Sequence, residues 1–341
     1  MILAIIFLCI VMNNGRSNRL TSYAYAIISW TFIMYAGIEV LSLFHLLQLS
    51  TIIIYWGIID CTLLIYLIKK KRFFSLSFKQ LFGNLAKGIN LLSLLMIFII
   101  VISLVLALKT VPSNWDSMTY HLPRIMHWIQ NRTVAHYATN SVRQVGSPIL
   151  AEFVSLYIII LSGKRDFLIN LLQWSSYVTC AILVYGVCRK LGCSKILSNF
   201  GSIMFLSLPI AFAESMTTQN DLFSALWLLL FVYLILDIYQ CNHLSLKEHW
   251  WCCIMLSMCI AFGYLTKPSV MFGILSFSIG LLIFLIKRKD TFKEIIRLLF
   301  LGSSAITAIV LPEILRNLAT FNSISAPIVS DGELQSGVTA N

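Results

Sequence analysis

The chain has 341 residues, a mean hydropathy of +0.86 and only 11% charged residues. A soluble domain carries roughly 25% charged residues, so this composition excludes a soluble enzyme and a disordered tail and indicates a polytopic membrane protein. The net charge of +11 comes largely from Lys and Arg clusters that border apolar runs, as topology-setting residues do, and it does not indicate a nucleic-acid-binding surface.

Apolar runs that can cross a bilayer follow one another along the chain, because a spanning helix needs about 20 residues. Six runs are predicted to be spanning helices: 20–43, 48–68, 88–108, 166–188, 196–213 and 220–240. The stretch 250–286 can hold two more helices with a break around Lys267, and another run covers 298–312. Short apolar pieces at 1–12 and 148–162 are ambiguous. The sequence therefore predicts an all-α transmembrane bundle of about ten or eleven helices.

Three parts are predicted along the chain. Residues 1–87 form N-terminal transmembrane segments, 88–317 form a transmembrane core with a polar loop at 109–147, and 318–341 form a polar tail. The polar character already begins at about Glu313, and it suggests a point at which a longer protein was cut.

Basic clusters predict the orientation of the helices. Six Lys and Arg residues at 69–87 and five at 287–297 should be cytoplasmic, so the helix 88–108 delivers the polar loop to the opposite face. If 148–162 crosses once, the turn before Asp221 faces the cytoplasm. If 148–162 is re-entrant, or if 148–188 makes an even number of crossings, Asp221 and Lys267 share the side of the loop. The second alternative obeys the positive-inside rule better.

The polar loop concentrates the chemistry of the chain between residues 114 and 143. Asp116 is its only acid, and it is surrounded by basic residues: His121, Arg124, His127, Arg132, His136 and Arg143. A carboxylate can take a proton from a hydroxyl, and arginine can bind phosphate oxygens bidentately. We therefore predict a site for a phosphorylated lipid headgroup. Residues 120–129 suit a helix that lies in the membrane interface, with Ile125, Trp128 and Ile129 in the lipid boundary. The alternative function of this helix is an interfacial anchor only.

Two later segments carry further candidates. Asp221 ends the polar turn of AESMTTQNDLF, where it either acts in the site or caps the following helix. Lys267 in GYLTKPS lies between two apolar runs and either binds a carboxylate or phosphate or snorkels to water.

Acidic side chains within the apolar runs would have a high free energy in lipid, so they are predicted to face the bundle interior. Glu39 and Asp60 could be partners or part of an ion path, and Glu152 could face the cavity of the polar loop. A divalent metal could bind Asp116, His121 and His136, although their spacing matches no metal motif, and no other cofactor is indicated.

The ordered segments WDSMTYHLPRIMHWIQ, TTQND and LTKPS resemble motifs of the GT-C superfamily of polytopic glycosyltransferases. They look most like glycosyltransferase family 39 and its relatives, the protein O-mannosyltransferases and the lipid A aminoarabinose transferases, over about residues 88–317. The resemblance implies catalytic roles for Asp116 and Asp221 and lipid-phosphate contact by Thr266 and Lys267. Substrate or lipid-phosphate binding is predicted for five residues: Tyr120, His121, Arg124, Arg143 and Lys267. The sequence departs from many members at Ser117, where they have Glu, and in its three preceding apolar segments.

The resemblance implies a glycosyltransferase of cell-envelope glycan biosynthesis in the plasma (inner) membrane. It would move a sugar, with inversion, from a polyprenyl-phosphate donor to an extracytoplasmic glycan, lipid or protein acceptor. Asp116 would be the general base, Lys267 and Arg124 would bind the leaving phosphate, and Asp221 would position the acceptor or a basic residue. The expected partners are the donor, membrane lipid and the acceptor, without nucleic acid.

Two other functions stay open at this point. A transporter or flippase for a lipid-linked or anionic solute would use Glu39, Asp60 and Lys267 in a central path and would not need the loop 109–147. A structural subunit of a membrane complex would tolerate replacement of all these charges.

Overall fold

A computed structural model describes residues 1–13, 19–70, 91–240, 246–287 and 292–326, without the side chains of 246–249, 287 and 292–295. The regular elements of these ranges are helices, and a π-helical turn, Ser117–His121, precedes α5. In chain order they are α1 (Ile2–Met12), α2 (Arg19–Leu43), α3 (Leu49–Lys69), α4 (Leu91–Lys109), α5 (Leu122–Asn131), α6 (Arg143–Gly146), α7 (Leu150–Leu161), α8 (Leu171–Lys190), α9 (Lys195–Leu206), α10 (Pro209–Glu214), α11 (Asp221–Gln240), α12 (Leu246–Thr266), α13 (Val270–Lys287) and α14 (Phe292–Phe321). The predicted all-α fold is confirmed.

Among the described residues, six helices are long and apolar enough to cross a membrane: α2, α3, α4, α8, α11 and the part of α14 from Ile296 to Phe321. Shorter apolar helices accompany them: α1, α7, α9 and the apolar parts of α12 and α13. Many apolar side chains on the outside of these helices are exposed, which is expected where lipid replaces water as the solvent. The chain is an integral membrane protein.

Two predicted helix bounds are wrong. The run 196–213 is not one helix, because α9 ends at Leu206 and Pro209, which has no N–H to donate, starts α10. The run 298–312 continues through Pro312 to Phe321. Arg316 stabilises this extension, since its guanidinium binds both carboxylate oxygens of Glu39 at 2.7 and 2.9 Å. The last part of the predicted tail (327–341) and most of the predicted basic clusters (71–87 and 288–291) lie outside the described residues.

The helix ends form two opposite poles, of which one holds the polar loop. We call it the loop end; it comprises the connections 44–48, 110–149, 162–170, 215–220 and 267–269 and the end of α14. Hydrogen bonds tie it together, from Ser42 to Thr133 at 2.9 Å and from His136 to Thr320 at 2.9 Å. At the opposite pole, the basic end, Lys190 pairs with Asp237.

The segment 148–162 does not cross the bundle, so 148–188 crosses it once, through α8. Helix α7 starts beside the polar loop, where Glu152 contacts His121 at 2.7 Å. Asn170, just before α8, donates to the carbonyls of Ala107 and Thr110 at 3.2 and 2.8 Å, which lie at the end of α4. Helix α7 and the following connection therefore return to the loop end. The turn before Asp221 consequently lies on the same side as the loop, as the positive-inside rule favours.

The amphipathic helix α5 faces protein, not lipid, with its apolar side. Ile125, Trp128 and Ile129 are buried, and the Trp128 ring lies 5.4 Å from that of Phe153 on α7. The prediction that these three residues lie in the lipid boundary is therefore wrong, because α7 offers them an apolar protein surface. The exposed apolar side chains around the start of the loop are instead Val111, Trp115 and Met118.

Candidate active site

Asp116 stands at the start of the π-helical turn with its carboxylate about one-third exposed, at 33%. The preceding Asn114 accepts a hydrogen bond from the backbone N–H of Ser117 at 2.9 Å, which fixes the entry to the turn. A nitrogen of Arg143, which is also partly exposed, lies 3.8 Å from Oδ1 of Asp116. The loop thus presents an accessible carboxylate beside a cation.

Ser117 connects the loop to the turn that precedes α11. Its side chain is fully buried, and its hydroxyl contacts both Oδ1 of Asn114 and the hydroxyl of Thr218. Thr218 lies three residues before Asp221. Two motifs that are far apart in the sequence are therefore in direct contact at the loop end.

Asp221 and Lys267 form an ion pair at this end of the bundle. The ammonium of Lys267 donates to Oδ1 of Asp221 at 2.5 Å, and both side chains remain partly exposed, at 39% and 43%. Asn220 donates to the carbonyl of Thr266 at 3.0 Å and so holds the turn against the end of α12. The Thr266 hydroxyl is buried and donates to the carbonyl of Phe262 within its own helix.

Glu214, at the end of α10, adds a further acidic side chain near the Asp221–Lys267 pair. Its carboxylate accepts a hydrogen bond from the Thr217 hydroxyl at 3.0 Å. Partial burial raises the pKa of Glu214 above its ordinary value, and the negative charge of Asp221 raises it further.

Beneath the loop lies a buried cluster of His121, Arg124 and Glu152. Nδ1 of His121 and Nη1 of Arg124 lie 2.7 and 3.4 Å from Oε1 of Glu152. The Arg124 guanidinium also donates to four backbone carbonyls, those of Arg143, Gln144, Ser147 and Pro148. With all five donors directed at protein oxygens and no solvent exposure, Arg124 holds the loop together from below.

Tyr120 lies between Asp116 and the buried cluster. Its ring centre is 4.1 Å from that of His121, and it is partly buried. Burial raises the pKa of Tyr120 well above its ordinary value, and the charges of Asp116 and Glu152 contribute. The phenol is therefore neutral and can donate a hydrogen bond to a ligand at the loop end.

Several supporting residues could not be singled out from the sequence. Gln144 donates to the carbonyl of Thr119 at 3.0 Å and accepts from the hydroxyls of Tyr137 and Thr139. Thr218 makes the contact between the two motifs. Neither has a charge or a spacing that could have marked it. The three residues of the cluster beneath the loop were each singled out from the sequence, but their contact with one another was not.

The described residues contain no group of three or more His, Cys, Asp and Glu side chains that could hold a metal ion. His121 instead contacts Glu152, and His136 contacts Thr320, so the two histidines have separate environments.

The three residues of the alternative transport path also have separate partners. Glu39 binds Arg316, Asp60 lies 3.3 Å from the Met1 amino group, and Lys267 binds Asp221.

Comparison with known protein families gives a match to the second half of the chain. The family described as dolichyl-phosphate-mannose-protein mannosyltransferase matches residues 146–315, a range that contains Glu152, Asp221 and Lys267. No curated protein and no solved structure matches the chain. The fold and the match define a polytopic membrane glycosyltransferase. The chain belongs to the GT-C superfamily.

Proposed function

We propose that the protein transfers a sugar from a polyprenyl-phosphate donor to an acceptor hydroxyl of a glycan, lipid or protein, with inversion at the anomeric carbon. The observation that carries the proposal is the contact between Ser117 and Thr218. It brings the Asp116 loop to the Asp221–Lys267 pair, so that a base and a phosphate-binding cation can serve one substrate.

Asp116 is the general base of this proposal. Its carboxylate is accessible and can take the proton of the acceptor hydroxyl while the hydroxyl oxygen attacks the anomeric carbon. The bond between that carbon and the phosphate oxygen breaks, and its electron pair leaves with the lipid phosphate. Arg143 lies close enough to Asp116 to contact the same phosphate.

Lys267 binds the leaving phosphate and stabilises its growing charge. An ammonium has three donors, so Lys267 can keep its bond to Asp221 while it binds a phosphate oxygen from the exposed side. Asp221 then positions the lysine. Tyr120 stands four residues after Asp116 in the π-helical turn and can donate its hydroxyl proton to the substrate. Arg124 is buried and saturated, so we assign it to positioning of the loop and not to phosphate.

The positions of the charged residues support a site on the extracytoplasmic face of the plasma (inner) membrane. The basic end carries Arg189, Lys190 and Lys195, which the positive-inside rule places in the cytoplasm. The loop end, with Asp116 and Lys267, then faces the opposite side.

The test is a transfer assay in membranes that contain equal amounts of each variant. Labelled polyprenyl-phosphate sugars are supplied, beginning with dolichyl-phosphate mannose, the donor that the family description names. We expect Asp116→Asn to lower kcat by about 10²-fold or more, because general base catalysis contributes about 10²–10⁴-fold. Lys267→Ala should lower kcat and raise the KM of the donor.

Asp166→Asn and Arg165→Ala are matched controls, since both residues are exposed at the same end of the bundle but outside the site. They should keep wild-type turnover. Wild-type turnover of Asp116→Asn or Lys267→Ala would remove the role assigned to that residue.

A further inference from the structure

The pair of His121 and Glu152 has the geometry of an oriented imidazole. Nδ1 of His121 lies 2.7 Å from Oε1 of Glu152, and the two side chains are only 5% and 2% exposed. A carboxylate at this distance accepts the Nδ1 proton, so the neutral ring carries its lone pair on Nε2. The hydrogen bond to Glu152 thereby selects one tautomer of His121.

Nε2 of His121 has a different environment from Nδ1. It has no hydrogen-bond partner among the described residues. No other described side chain therefore uses its lone pair. The ring also packs against Tyr120, whose hydroxyl is within the electrostatic influence of both Asp116 and Glu152.

We propose that His121 and Glu152 form a proton-accepting dyad that regenerates Asp116, an inference that rests on the proposed transfer reaction. The acceptor oxygen forms its bond to the anomeric carbon, the bond from that carbon to the phosphate oxygen breaks, and the acceptor proton moves to Asp116. The proton then passes from Asp116 to Nε2 of His121, directly or through water, and from there to bulk water or to the lipid phosphate. Glu152 is the positioning residue of this dyad.

The charges around His121 suit a transient proton. Glu152 faces the ring from α7, Arg124 from α5, and Tyr120 lies in the same turn with Asp116 and Arg143 beyond it. Glu152 and Arg124 carry opposite charges and are almost completely buried, so the cluster holds one fixed anion and one fixed cation beside the ring.

The deciding variant is His121→Asn. Its amide N–H can replace Nδ1–H and keep the hydrogen bond to Glu152, but it has no basic nitrogen in place of Nε2. With dolichyl-phosphate mannose as the donor, we expect kcat to fall about 10²–10⁴-fold, the range of general acid–base catalysis, with the KM of the donor unchanged. The acidic limb of the pH profile should change, and the thermal unfolding temperature should stay at the wild-type value.

His127→Asn is the matched control, because His127 lies on α5 and stacks on Tyr137 at 4.0 Å without contact to Glu152. It should keep the wild-type kcat and pH profile. Glu152→Gln should lower kcat at least tenfold at unchanged KM. If Glu152→Gln does not fold, because Arg124 loses its buried counter-charge, His121→Asn alone decides.

Wild-type kcat and pH profile in His121→Asn would overturn the dyad. A loss of kcat that comes with a lower unfolding temperature or a raised donor KM would also overturn it, because it would indicate a structural role. Asp116→Asn, assayed in parallel, separates the two proposals. An inactive Asp116→Asn with a normal His121→Asn removes only the dyad, whereas an active Asp116→Asn removes the proposed transfer mechanism itself.

Discussion

Replacement of Arg124 by Lys keeps the positive charge but removes the planar fork that binds five oxygens. A lysine ammonium has three donors, so at least two of the five contacts, to four carbonyls and Glu152, are lost. A hydrogen bond to a charged group contributes about 1.5–3 kcal/mol, so two lost contacts cost about 3–6 kcal/mol. Because 1.4 kcal/mol corresponds to a factor of ten, the segment 143–148 should open roughly 100-fold or more often.

Hydrogen exchange of the purified protein in detergent, followed by mass spectrometry, measures this opening at the amides of 143–148. Arg132→Lys is the matched control, since Arg132 lies at the exposed end of the same helix. Exchange in Arg124→Lys at the wild-type rate would refute the assignment of Arg124 as the residue that organises the loop.

Three further predictions concern the rest of the bundle. Glu39→Gln leaves Arg316 with only Glu313 as a buried counter-charge. The protein should lose about 3 kcal/mol of stability, which thermal unfolding in detergent measures. An unchanged unfolding temperature would contradict the role of the Glu39–Arg316 pair. Burial lowers the pKa of His136 to about 3, whereas the ordinary value is about 6.5. The contact of His136 with α14 is therefore intact above about pH 6.5. Below that pH the contact weakens by about 1.4 kcal/mol per pH unit. Protease cleavage of the loop should therefore accelerate between about pH 7 and pH 5 in the wild type. His136→Asn should lack this acceleration. An equal response of both proteins would disprove the role of His136 in the pH dependence. Cysteines introduced at the loop end should all react with an impermeant maleimide from outside intact cells, at Ser113, Gln219 and Ser269. The native Cys193 at the basic end should react only after permeabilisation, and the reverse pattern would invert the proposed topology.

The helices could be predicted from local composition, whereas their exact ends depend on distant contacts. Apolar runs of bilayer length correspond to helices such as α2 and α3 within a few residues. The end of α14 could not be predicted, because a charged stretch after Pro312 looks like a tail until Glu39, 277 positions away, binds Arg316. The break at Pro209 had a local signal in the proline itself, which the hydropathy of the run obscured.

The site was partly predictable for a similar reason. The motifs that contain Asp221 and Lys267 suggested a polar partner for the lysine, and the two side chains form an ion pair. An arginine in a polar loop, in contrast, looks exposed by composition. Only the tertiary structure reveals that Arg124 is buried under backbone carbonyls and that Trp128 packs on α7.

The ion pairs of the proposed site have a consequence for ligand selection. Both accessible cations already stand beside a carboxylate, Lys267 beside Asp221 and Arg143 beside Asp116. A phosphate ion in solution is dilute, and it must compete with these two carboxylates for the cations. A phosphate on a membrane-anchored chain competes from the high local concentration that confinement to the bilayer plane provides. The neutrality of the two ion pairs thus favours anchored anions over soluble ones without any contact to the lipid chain.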